Sequence, residues 1–234
     1  MYFAFHEAAE ASESISFEDL ASILRLSAKY DIHLIRWKCI DEFKSMFPCT
    51  LKEFDALGYG VSQFHLSAAP ESFRLGGDGC LSSALLLFRE CDVPELLPSL
   101  FYILTRGSLA ETLSRLRDFP KSEILGCILL GREKLLSAQL SDIFPYFLNF
   151  KPSPNCLCPA KCQELGLERK EEGHIPGSYQ WALTNVAHWF ENPVSCSPCH
   201  DFYKDAYKSA RQRVWNKLPG YFELGTWEEI RNIK

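Results

Sequence analysis

Apolar side chains along this chain recur mainly three and four positions apart, the spacing that lays one stripe along an α-helix. Phe17, Leu20, Ile23, Leu24 and Ser27 follow it, and Ser16 with Asp19 three positions on marks a helix start. A second stripe, Ile32, Ile35, Cys39, Phe43 and Met46, predicts a helix from Asp31 towards Phe47. Trp37 and Ile40 are expected to widen its buried face, Arg36 and Lys38 to stay solvated, and Pro48 to end it. Thr50 and Glu53 have capping-box spacing and predict a short third helix. From Gly58 to Gly79 no period is sustained, and the phrases GYG and GGDG predict a long loop or insertion.

Helical spacing returns at Leu81. The run LSSALLLFREC is apolar on several sides and predicts a deeply buried helix. Asp92 is expected to cap the next helix, with Pro94 near its first turn and Leu96, Leu97, Leu100, Phe101 and Leu104 facing inward. Ser108 and Glu111 form another capping box, for a short helix that stops near Pro120. A longer helix from Lys121 to Ala138 carries Ile124, Leu125, Ile128, Leu129, Leu135 and Leu136. After the turn-rich KPSPNC, further helices are expected over Tyr179–Phe190 and from about Pro198 to Asn216. The second should bury Phe202, Tyr203, Ala206, Ala210 and Val214. The end, KLPGYFELGTWEEIRN, reads as a folded tail pinned by aromatics. No strand-like alternation competes, so the expected fold is all-α, a multi-helical stack.

With 47% apolar residues, 13% of the chain aromatic, 234 residues can bury a substantial core. A formal net charge of −5 argues against a nonspecific nucleic-acid or anionic-membrane binder. No apolar run approaches the length of a membrane span. The N-terminal residues lack the basic region of a secretion signal, and no acceptor for N-glycosylation occurs. The expectation is therefore an intracellular protein of cytoplasm or nucleus, with cysteines as thiols or ligands. No HExxH, nucleophile elbow or phosphate loop is present, and no nucleophile, base and orienting group occur together, so neither catalysis nor a small-molecule substrate is expected. A basic stretch, Lys204, Lys208, Arg211, Arg213 and Lys217, lies near Tyr203, Tyr207 and Trp215 and offers the alternative of nucleic-acid contact, although Asp201 and Asp205 dilute its charge.

The cysteines carry the clearest chemistry. Cys156, Cys158 and Cys162 stand in CLCPAKC, and Cys196 and Cys199 in CSPC. Four thiolates from two short turn-rich loops make a closed tetrahedral Zn²⁺ site, which is structural in kind, and Zn²⁺ is the expected cofactor. Closing the intervening segment would supply folding energy. Spacing leaves several ligand sets open: Cys158 with Cys162 and Cys156 idle, or His200 as the fourth ligand.

The string FEDLASILRLSAKYDIHLIRWKCIDEFKSMFPCTLKEFDA resembles the end of a BTB/POZ domain and the helices after it in fungal, mushroom-type BTB proteins. ALLLFRECDVPELLPSLFYIL, CLCPAKC, CSPCHDFY and VWNKLPGYFELGTWEEI extend the resemblance over nearly the whole chain. It implies a division into a truncated BTB tail at 1–47, a helical region at 48–150, and a cysteine-bearing helical region at 151–234 packed on the helices before it. Only about fifteen residues precede the first matched helix, so the resemblance implies that the dimer-forming elements and most of the cullin-facing surface of a complete BTB domain are missing. It also implies the ligand set Cys156, Cys162, Cys196 and Cys199, because Pro159 falls between the first pair where such proteins carry a proline; Cys158 is then spare. Lys161 or His200 could balance the −2 charge of zinc with four thiolates. The class it implies is a non-enzymatic protein-interaction or structural scaffold with an unidentified protein partner.

Overall fold

The first helix, α1 (Phe17–Lys29), starts where Ser16 adopts an extended conformation and its Oγ accepts the Asp19 N–H at 3.1 Å. It buries Leu20, Ala21, Leu24 and Ser27. The computed structural model describes residues 15–57, 79–106, 108–117, 122–143, 151–164, 182–183 and 196–232. The loop expected up to Gly79 lies outside these except for Gly79 itself, and of the helix expected over Tyr179–Phe190 only Ala182 and Leu183 lie inside.

The remaining elements are α2 (His33–Lys44), α3 (Leu51–Ala56), α4 (Gly79–Glu90), a 3₁₀ turn (Pro94–Leu96), α5 (Leu97–Thr105), α6 (Leu109–Arg115), α7 (Ser122–Ala138) running into a π turn (Gln139–Ile143), α8 (159–164), α9 (Ser197–Asn216), α10 (Leu218–Tyr221) and α11 (Trp227–Arg231). No strand occurs among the described residues, and the fold is all-α. No helix among them is long and apolar enough to cross a membrane. Capping boxes at Thr50/Glu53 and Ser108/Glu111 start α3 and α6, and a third at Thr226/Glu229 starts α11.

Two helix ends depart from the sequence expectation for one shared reason. The second helix begins at His33, not Asp31, and Asp92 does not cap the helix after it. Both aspartates instead hold positive φ, 53° and 52°. Each terminates the helix before it, with Ile32 N–H reaching Ser27 O at 2.9 Å and Val93 N–H reaching Phe88 O at 2.8 Å. These are Schellman closures with aspartate, which tolerates the left-handed region, in the place glycine usually takes. Arg36 is not solvated as expected; it donates to Cys91 O at 2.8 Å and Asp92 O at 2.7 Å, satisfying the carbonyls left over at the end of α4. The expected face of α2 holds at Cys39, Phe43 and Met46, but Ile32 and Trp37 point to solvent, Trp37 60% exposed.

At the centre lies α5, buried at every position from Leu97 to Thr105. A helix apolar on all sides must have neighbours on all sides. Its hydroxyls stay satisfied internally, Ser99 Oγ on Leu96 O and Thr105 Oγ1 on Tyr102 O. Helices α4, α6, α7 and α10 pack around it. Aromatic edges interlock the layers: Phe88 meets Phe43 and Phe47, each at 5.2 Å, and Phe54 meets Tyr102 and Trp215 at 5.6 and 5.4 Å. The aromatic tail is pinned as expected. Trp227 stacks on Trp215 at 5.7 Å and its indole N–H donates to Trp215 O at 2.8 Å. One continuous core thus runs from Leu20 to Trp227.

The contact of the tail with α7 makes a sharp test. A Cβ on Gly131 would lie 2.1 Å from Phe222 Cδ1, and that ring is fully buried. Gly131→Ala should therefore destabilise the fold by about 1–3 kcal/mol through overpacking. On the same helix nothing lies within 4 Å of a Cβ on Gly126. Gly126→Ala should stabilise by roughly 0.5–1 kcal/mol through helix propensity. Denaturant midpoints moving in opposite directions are the expected result; equal shifts would show that the ring yields freely.

Candidate metal centre

Two chain turns bring the cysteines together. Cys156 N–H closes a turn on Ser153 O at 3.0 Å, and Cys162 N–H makes a helical bond to Cys158 O at 3.0 Å as α8 begins. Across from them, Cys196 is the extended residue at the start of α9 (φ −64°, ψ 155°), with Pro198 in the first turn. Cys196 O accepts from both Cys199 and His200, so the CSPC segment folds back within one turn. The result is that Sγ of Cys156, Cys162, Cys196 and Cys199 all lie within 4.8 Å of one another. The sulfurs of Cys156 and Cys196 lie 3.6 Å apart. Zn–S bonds near 2.3 Å in a tetrahedron need sulfurs about 3.5–4 Å apart, a small contraction from this arrangement.

The surroundings suit thiolates. Two of the four sulfurs accept a backbone N–H from across the site, Cys199 from Ser153 at 3.2 Å and Cys162 from Cys196 at 3.4 Å. Such donors lower the energy of negative sulfur, and the positive end of α9 adds to the effect. Without metal the charge is unevenly shared. The Leu157 N–H above all draws Cys196 down to about 6, while desolvation, with neighbouring thiols adding, pushes Cys156 up to about 12. At 3.6 Å the two sulfurs are close enough to share a proton. A divalent cation replaces that proton and favours all four thiolates. Cys156, Cys158, Cys162, Cys196 and Cys199 are all free thiols, none in a disulfide. Four nearby cysteines with this donor set could hold a metal ion.

The four-sulfur group therefore contains the residues the family resemblance implies. Cys158 lies beside it, its Sγ 3.5 Å from Cys162 Sγ, and is pushed up to about 11 chiefly by hydrogen bonding with Cys162. His200 is not among the converging groups; its Nδ1 lies 3.0 Å from Asp201 Oδ1. Lys161 is exposed. His6, His65, His174 and His188 fall outside the described residues, and His33 is exposed beside Asp31.

Two residues beside the centre escape the sequence pattern. Ser153, buried, lends its N–H to Cys199 and places its Oγ 3.6 Å from the same sulfur. Tyr203 clamps the loop: its hydroxyl donates to Lys151 O at 2.5 Å and accepts the Lys151 N–H at 2.7 Å. Tyr203 sits one helical turn after Cys199, the one signal that could have marked it; Ser153 carries none.

The basic stretch does not present all its cations to solvent. Arg211 is buried, its fork donating to Asp55 Oδ1 at 2.5 Å and Oδ2 at 3.0 Å and to Leu183 O at 2.7 Å. Tyr203, Tyr207 and Trp215 are buried too, while Phe202, expected inside, is exposed. The helix thus presents no aromatic of the three for stacking on bases, and Asp201 and Asp205 are exposed on it. Comparison with protein-family models, curated proteins and solved structures found no match to this chain.

Proposed function

We propose that the chain is a non-enzymatic protein-interaction or structural scaffold in which Cys156, Cys162, Cys196 and Cys199 hold a structural Zn²⁺. The observation that carries this is the convergence of four sulfurs, two of which accept a backbone N–H from across the site. Soft thiolates in tetrahedral number favour zinc over hard cations. Four protein ligands leave no open position for water or substrate, which argues for a structural centre over a catalytic one. The metal would add a further anchor for 151–164 on α9, beside the Tyr203 clamp at Lys151.

The interaction reading is supported by two features. Leu26, Tyr30, Ile32, Leu34 and Trp37 are exposed on or between α1 and α2, more large apolar surface in one stretch than solubility favours. The resemblance to the C-terminal part of fungal BTB proteins points to the same class. The experiment has two arms. Metal analysis of protein purified without chelator should find about one equivalent of zinc, and less than roughly a tenth, with stability unchanged by chelator, would sink the site. Partner capture with mass spectrometry should recover a protein whose binding is lost in Leu34→Glu/Trp37→Glu; equal recovery by the variant would reject that face.

A further inference from the structure

A fifth sulfur stands against the four. Cys158 is outside the converging set, yet its Sγ lies 3.5 Å from that of Cys162. We propose that Cys158 is an oxidation site, at which a hydroperoxide drives formation of a Cys158–Cys162 disulfide that withdraws Cys162 from the metal-binding set. The consequence for metal rests on the zinc reading above; the pairing does not.

Three observations lead there. The Cys162 N–H to Cys158 O bond of 3.0 Å sets the two residues one helical turn apart. Their Cα atoms are then about 6 Å apart, inside the span a disulfide bridges. Cys158 is half-buried whereas Cys162 is fully buried, so an oxidant from solvent meets Cys158 first. Cys158 and Cys162 bring their sulfurs together within a single turn of chain, whereas the other close pair, Cys156 and Cys196, joins segments 40 residues apart.

The chemistry balances with the hydroperoxide as the only oxidant. The Cys158 sulfur attacks the peroxide oxygen, the O–O bond breaks, and sulfenic acid and water form once the thiol proton has passed to the leaving oxygen. The Cys162 thiolate then attacks the Cys158 sulfur. The S–S bond forms, the S–O bond breaks, and the departing hydroxide takes one proton from solvent to become water. Two electrons leave the two sulfurs and both go to the peroxide oxygens. Three thiolates remain where four held the metal, and a closed site becomes an open, weaker one.

The test treats the full chain, purified without chelator, with hydrogen peroxide. A chromogenic chelator follows released zinc, and non-reducing peptide mapping by mass spectrometry identifies the disulfide. Cys158–Cys162 should be the first disulfide, with zinc appearing in step with it and returning to the protein after a dithiol and added zinc. Cys158→Ser should hold as much zinc before peroxide and release it at least about ten-fold more slowly. A first disulfide that omits Cys158, or unchanged release from Cys158→Ser, would overturn the proposal. A chain that carries no zinc before peroxide overturns the metal reading alone, and the mapping still decides the pairing. Should the serine variant not fold, mapping of the unaltered chain decides by itself.

Discussion

Cys199→Ala should strip the metal and loosen the segment from Pro152 to Tyr203 while the earlier helices survive. Cys199 is fully buried and its sulfur accepts the Ser153 N–H. The substitution removes one of four ligands and orphans that buried donor, which alone costs about 1–3 kcal/mol. Structural zinc contributes on the order of 10 kcal/mol to the folding of small zinc domains, so here its loss should unfold the loop locally. Helices α1 to α7 share a core in which Leu20, Phe88, Leu100 and Ile128 take part and none of the four cysteines does. Far-UV circular dichroism should fall only slightly, trypsin should cut faster after Lys161, and bound zinc should drop below about a tenth of an equivalent. Retention of full zinc with unchanged proteolysis would remove Cys199 from the site. Cys39→Ala is the control, a buried thiol remote from the cluster whose pKa burial pushes up to about 11. It should cost stability without touching metal content.

The second large effect is expected at Arg211. This one side chain ties α9 to Asp55 near the end of α3 and to the 182–183 turn. Arg211→Ala leaves the Leu183 carbonyl without its guanidinium and Asp55 without its counter-charge. Breaking a buried pair costs about 3–5 kcal/mol, but the Asp55 side chain is 28% exposed, so water recovers part of this. A loss of about 2–3 kcal/mol is expected, lowering Tm by roughly 5–10 °C in a chain of this size. Arg211→Lys should fall between, keeping charge but losing the fork that reaches two acceptors at once. Lys208→Ala, on an exposed position of the same helix, should change stability by less than about 0.5 kcal/mol. A Tm for Arg211→Ala equal to that of Lys208→Ala would show that the pair contributes nothing net.

Helix starts were legible because capping is local chemistry. Ser16, Thr50 and Ser108 act within three residues of themselves, so their partners Asp19, Glu53 and Glu111 can be read beside them. Thr226 with Glu229 carried the same signature unread. Helix ends were less legible: Asp31 and Asp92 look like caps for the next helix, and only the backbone reveals the positive φ that makes each the terminator of the helix before it. Periodicity marked Tyr203, Ala210 and Val214 on α9 but not the outward turn of Phe202 and Trp37, the inward turn of Arg211 or the burial of α5 on every side. A stripe says which residues share a side of a helix; whether that side meets protein or water depends on elements far along the chain.

The cysteine centre divides in the same way. Two dense cysteine loops are visible in the sequence as candidate metal-binding turns, because short spacing alone lets a loop aim its thiolates together. Which sulfurs meet, and that Cys158 stands beside them and His200 apart, was decided by the turn at Ser153, the helical start after Cys158 and the first turn of α9. The sequence by itself determined an all-α chain with a cysteine-rich C-terminal part, since hydrogen bonds and side-chain spacing within a few residues set both. The tertiary structure alone decided the central burial of α5, the Arg211–Asp55 tie and the backbone donors on Cys199 and Cys162, because these depend on contacts between residues tens to more than a hundred positions apart, whose pairing no local pattern encodes.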